Sequence, residues 1–139
     1  MMSVLERVRA ELVEFLRDGD RWKSLLIDYH PPIVERLWLQ WNEYRVCLHK
    51  IHPCTIEEAL MHPHPWPSAM LLVKGRYEMP IGFSRTERQP TILNKLMLVA
   101  GSSYEMIDSD VWHSVAPMGG AGMDRHGYGQ TLGPNVTKQ

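Results

Sequence analysis

The chain is poor in the features that most quickly assign a function. It has only two cysteines, Cys47 and Cys54, in 139 residues. Two cysteines build no disulfide framework. Cys47 reads as a small buried hydrophobe and Cys54 as a loop thiol. The compartment expected from this usage is the reducing cytoplasm. Neither sign of charge is in excess, with 15 Lys and Arg against 16 Asp and Glu. With no basic block, neither nucleic acid nor an anionic membrane surface is an expected partner. No apolar run reaches transmembrane length, and the amphipathic, charged residues 1–9 are unlike a signal peptide. There is no internal repeat, no phosphate-binding Gly loop, no dinucleotide fingerprint and no Ser-His-Asp arrangement.

What remains is an ordinary globular composition, long enough for one domain with a real core. Ser3 and Glu6 fit a capping box. Val4, Val8, Leu12 and Phe15 follow on one helical face, with Leu5 and Leu16 beside it, and Gly19 is a plausible stop. A second short helix is predicted over 20–28, carrying Trp22, Leu25 and Leu26, with Tyr29 just beyond. Pro31-Pro32 closes that segment. From Ile33 the period becomes 2. Strands are predicted near 35–41, 44–52, 68–74, 76–83, 92–100, 103–107 and 111–116, with Gly75 as a tight turn. The expected fold is mainly β, a sandwich or barrel behind two N-terminal helices. The helical arm takes 1–32, the β domain 33–118 and an irregular tail 119–139.

That tail is rich in Gly and polar residues and has no period. It falls where a small barrel needs another strand to close an edge. Two readings stand. One is a native flexible tail. The other is a frameshift: codons for residues 123–134 permit a next frame spelling Trp-Thr-Val-Met-Val-Thr-Gly-Lys-Pro-Trp-Asp-Arg, which is β-rich. The second reading predicts no regular strand over 123–134.

The most informative segment is His62-Pro63-His64-Pro65-Trp66-Pro67-Ser68, then an apolar run to Val73 and Gly75. A His-x-His pair entering a strand puts both imidazoles on one side. Two imidazoles on one side are half of a metal site. His113 is the third candidate, in Asp108-Ser109-Asp110-Val111-Trp112-His113. His49 and His52 are spaced by three, so in a strand they face opposite ways. His30 reads as loop, and His126 lies in the tail.

The spacing from His62 through Ser68 to Gly75 resembles the first motif of the cupin superfamily, His-x-His, three or four residues, Glu, six residues, Gly. Residues 101–113 resemble its second motif. The resemblance covers about residues 34–118 and implies a cupin-type jelly-roll β-barrel with a metal near its centre. Carried over by position, His62, His64 and His113 are the ligands. Two departures stand out. Ser68 replaces the Glu ligand, and Asp108-Ser109-Asp110 replaces a Pro-x-Gly.

A Ser hydroxyl is a poor ligand for a divalent metal, which leaves a three-histidine site with open positions. Such a site suits Fe(II), Zn(II), Ni(II) or Cu(II), with Fe(II) favoured. Within the cupins it is similar to the thiol dioxygenases. Ser68 borders the site and is placed to orient a water. Trp66, Trp112, Tyr77 and Tyr104 line the pocket mouth or, more commonly for aromatics at strand spacing, belong to the core. Glu78 and Glu105 read as solvated. The implied function is that of a divalent-metal-binding cupin, a non-haem iron dioxygenase or related oxidoreductase acting on a small polar molecule. The alternatives are a non-catalytic ligand-binding cupin, with or without metal, and a metal-dependent isomerase or lyase. A homodimer is expected, because small barrels leave edges and apolar faces to cover. The metal-facing nitrogens of the three histidines should lie within about 4 Å of one another.

Overall fold

The structure is a computed structural model that describes residues 1–86, 88–118 and 131–138. One helix, α1 (Met2–Arg17), opens the chain. A short 3-10 turn at Gly19–Arg21 follows. The strands are β1 (Lys23–Ile27), β2 (Val34–Trp41), β3 (Tyr44–Ile51), β4 (His62–Pro63), β5 (Ser68–Leu71) and β6 (Arg76–Phe83). They continue with β7 (Ile92–Val99), β8 (Ser103–Met106), β9 (Val111–His113), β10 (Ala116–Pro117) and β11 (Thr131–Lys138). One sheet runs β1-β2-β3-β11-β5-β8, and the other runs β10-β6-β9-β4 with β7 also paired to β6. This is a cupin-like β-sandwich. Among the described residues the two sheets do not join into the closed barrel that was expected.

The second predicted helix is absent. Residues 23–27 form β1 instead, paired antiparallel with β2 from Lys23 against Trp38 to Ile27 against Val34. The segment between Gly19 and Pro31 holds only about three helical turns, too few to offset nucleation. Pairing with β2 satisfies its backbone groups at once. The predicted strand over 111–116 is split into β9 and β10, both against β6.

The tail also differs from expectation. Residues 131–138 form β11, a central strand that pairs with β3 along its whole length and with β5 at Asn135, Val136 and Thr137. Residues 131–134 are therefore a paired strand as written, which counts against the frameshift reading. The rest of the 123–134 window lies outside the described residues, and so does His126.

Strand parity decides what faces the interior. Leu39, Val46 and Ala69 point outward from the larger sheet and are fully buried by Leu5, Val8 and Phe15 of α1. The helix thus caps that face, and its apolar stripe is the one read from the spacing of Val8 and Phe15. The opposite parity sends Arg36, His49, Met70 and Tyr104 toward the smaller sheet. There they meet Tyr77, Met79, Leu72 and Val115, which form the second core cluster.

Candidate metal centre

The three histidines come from two strands and one loop. His62 of β4 stands directly opposite His113 of β9. His113 is also opposite Ile81 of β6, which fixes it in the middle of the sheet. His64 lies one residue past the end of β4. That strand is only two residues long because prolines at 63, 65 and 67 supply no ladder donors. The alternation still holds locally: the rings of His62 and His64 stack, with centroids 5.4 Å apart and planes 28° apart. The His113 ring lies edge-on to both, at 4.7 Å from His62 and 4.9 Å from His64.

Each imidazole is tied down through its outer nitrogen. His62 Nδ1 donates to the Leu60 carbonyl at 3.1 Å. His64 Nδ1 meets Ser68 Oγ at 3.1 Å, and the Ser68 hydroxyl gives its own proton to the Trp66 carbonyl at 3.1 Å. Ser68 Oγ is therefore the acceptor, and His64 carries its proton on Nδ1. His113 Nδ1 lies 3.2 Å from Met79 Sδ, a weak acceptor. This pattern leaves three Nε2 lone pairs directed inward, the arrangement that ligating histidines show.

Two of those lone pairs, on His64 and His113, are only 3.0 Å apart. A hydrogen bond between them requires one ring to abandon its outer partner. A cation between them requires nothing. Nitrogens at right angles on an ion, with bonds of about 2.1 Å, are about 3.0 Å apart, and at the tetrahedral angle about 3.4 Å. The ligand atoms of all three residues lie within 4.8 Å of one another, a looser bound than the spread of about 4 Å expected. The donor set fits a divalent metal. His62 is the accessible member and His113 is fully buried.

Electrostatics favour the same state. Burial lowers the pKa of His64 to about 4, with the neighbouring His62 and Arg36 adding to the shift. Burial, then His62 and His64, hold His113 well below the usual imidazole range. His62 is lowered in the same direction, again mainly by desolvation. All three are neutral at pH 7, the form that binds metal.

The cavity beside the histidines has a volume of about 450 Å³ and is bounded by both sheets. Its walls are mostly apolar, from Ile27, Val34, Ile51, Leu72 and Val115. Tyr77 donates its hydroxyl proton to the Tyr104 hydroxyl at 3.0 Å, and burial raises Tyr77 to about 12. Tyr104 is thus a wall of the cavity, with its ring centroid 6.0 Å from that of His113. Trp66 is not: its side chain is half-exposed, and its contribution is the carbonyl that receives Ser68. Ser68 is fully buried and meets His64 Nδ1.

Two polar residues of the cavity escaped the sequence reading. Arg36 Nε donates to His49 Nε2 at 2.8 Å, and both side chains line the cavity. Burial, then Arg36 and His64, push the His49 pKa down to about 3. The usable signal was parity: His49 shares the face of buried Cys47, whereas His52 turns outward to Glu35, at 2.8 Å.

No family model and no curated protein matches the chain. Solved structures do. Hydroxypropylphosphonic acid epoxidase from S. wedmorenis superposes with a TM-score of 0.61 at 15% identity, over 85% of this chain and 56% of that one. Fe(II)-HppE with the alternative substrate (S)-1-HPP gives 0.61 at 14% identity over the same shares. KdgF from Halomonas sp. gives 0.54 at 12% identity, over 83% of this chain and 88% of that one. The chain thus spans little more than half of the epoxidase. At these identities the likeness establishes the fold. Fold and site together define a cupin-like β-sandwich with a three-histidine group suited to a divalent metal. No helix among the described residues is long and apolar enough to cross a membrane.

Proposed function

We propose that the chain is a divalent-metal oxidoreductase of the cupin type, with His62, His64 and His113 holding Fe(II) and a small polar molecule bound in the adjoining cavity. The observation that carries this reading is the convergence of three neutral imidazoles whose outer nitrogens are all engaged elsewhere. Solved structures with the same fold are named for Fe(II) and, in two cases, Co(II), which supports a first-row divalent ion. A bound iron would supply Lewis acidity and redox chemistry with dioxygen.

The remaining chemistry belongs to the chain. Ser68 and Met79 fix the tautomers of His64 and His113. The Tyr77 hydroxyl proton is already committed to Tyr104, so the Tyr104 hydroxyl proton is the one available to a molecule in the cavity. Ile51, Leu72 and Val115 keep the wall apolar and limit water around it.

The test is elemental analysis of protein purified without a histidine tag, then oxygen uptake by the Fe(II)-loaded protein with a panel of small substrates. One equivalent of metal and substrate-dependent oxygen uptake support the proposal. Metal retention without any uptake favours a binding domain or an isomerase. Failure to retain or rebind any divalent ion removes the oxidoreductase reading.

A further inference from the structure

Among the described residues, the cavity wall carries one guanidinium, that of Arg36. Arg36 projects from β2 into a space lined by imidazoles, aliphatic side chains and three tyrosines. Its Nε is spent on His49. Among the described residues, no carboxylate pairs with it and no hydrogen bond reaches either terminal nitrogen. The acid adjacent in sequence, Glu35, points to the opposite face of the sheet, where it engages His52 and Lys50. The two terminal nitrogens of Arg36 are open to a molecule that enters the cavity.

The way Arg36 is held adds direction. The Nε–His49 bond anchors one edge of the guanidinium. That leaves the Nη1/Nη2 edge, a planar pair of donors whose spacing matches the two oxygens of a carboxylate. His49 cannot serve as the counter-charge, since it is a neutral acceptor of the Arg36 proton. The cavity of about 450 Å³ has room for benzoate and for considerably larger molecules.

We infer that Arg36 is an anion subsite, and that the molecule taken by this cavity is a small organic carboxylate gripped by the Nη1/Nη2 edge, with its other end toward the three histidines. His49 is a positioning residue for that grip. The inference deepens the function proposed above, because it names the substrate class of the same site. Carboxylate capture itself does not require a metal.

The experiment compares benzoate with benzamide, its neutral near-isostere, on metal-free protein, by calorimetry and by the 15N resonance of the Arg36 side chain. Benzoate is expected to bind at least tenfold more tightly than benzamide and to shift the Arg36 Nε resonance. Arg36→Gln, which keeps a donor for His49, should erase the difference between the two probes. Arg36→Lys should retain part of it, and serves if the Gln variant does not fold. Equal binding of both probes, no binding of benzoate, or unchanged discrimination in Arg36→Gln overturns the inference. The series is repeated with Zn(II). Discrimination without metal binding retains the anion subsite and removes the metal reading, and metal binding without discrimination does the reverse.

Discussion

The Nε2 atoms of His64 and His113 face each other at 3.0 Å, although the far nitrogen of each ring has an acceptor of its own, Ser68 Oγ for His64 and Met79 Sδ for His113. Two lone pairs at that distance repel, and a cation between them removes the repulsion. The folded state should therefore gain stability on binding metal. With free Zn(II) or Co(II) at a hundred times Kd, linkage gives about 2.7 kcal/mol, a shift readily seen in a thermal melt. His64→Ala and His113→Ala should each abolish the shift. His64→Ala should keep its fold in the absence of metal, because His64 lies in a loop beyond β4.

Ser68 stands where the related motif carries an acidic ligand, and here it sets the His64 tautomer from a fully buried position. Ser68→Ala removes the acceptor of the Nδ1 proton and frees the ring. Loss of such a partner costs metal affinity about 10–100-fold. Stability should fall by about 1 kcal/mol, the worth of an ordinary hydrogen bond. Isothermal titration with Zn(II) and denaturant melts separate the two effects. A variant that binds metal as tightly as the parent contradicts the tautomer argument.

Much of this was legible in the sequence, for local reasons. The alternation of Arg76–Phe83 and of Tyr44–Ile51 matches the observed strands closely because each alternates across its sheet. His62 and His64 were legible together from short spacing and strand parity, whereas His113, far away in the chain, was placed beside them by the resemblance to the cupin motifs. Other features depend on partners far away in the chain. Lys23–Ile27 reads as well for a helix, and only β2 makes it a strand. Gly133 and Pro134 argue locally against a strand, yet β3 offers a complete partner ladder. Arg36 stands next to Glu35, which looks like a solvated pair of charges. Its meaning appears only when His49 is placed opposite it in the register.

The depressed pKa of His49 links stability to pH. Its folded value is about 3, against an ordinary 6.5 in the unfolded chain. Between these values the unfolded state binds the extra proton, so stability rises with pH across the window. The His49 contribution is complete above about pH 6.5 and is lost as pH falls toward about 3. His49→Gln keeps an acceptor for Arg36 but cannot titrate. Its stability should depend less steeply on pH in that window, by about 1.4 kcal/mol per pH unit for one proton. Urea melts at a series of pH values read the slope directly. Identical slopes for variant and parent would show that His49 is not neutral in the folded state.

Gly82 sits where β6 shifts register against β7, directly opposite Trp112, the neighbour of His113. A Cβ placed there would lie 2.6 Å from Pro90 Cγ and 2.8 Å from the Thr91 carbonyl oxygen. The ring of Pro90 can yield a little, but the carbonyl belongs to the backbone and cannot move without disturbing the entry to β7. Gly82→Ala should therefore destabilise by about 1–3 kcal/mol, as overpacking of a close contact does. Gly19→Ala is the matched comparison, because a Cβ at Gly19 meets nothing within 4 Å. That change should alter stability by no more than about 0.5 kcal/mol. Thermal melts of the two metal-free variants beside the parent decide the matter. If Gly82→Ala melts with the parent, the close packing of β6 against the start of β7 is not what holds the sheet around His113.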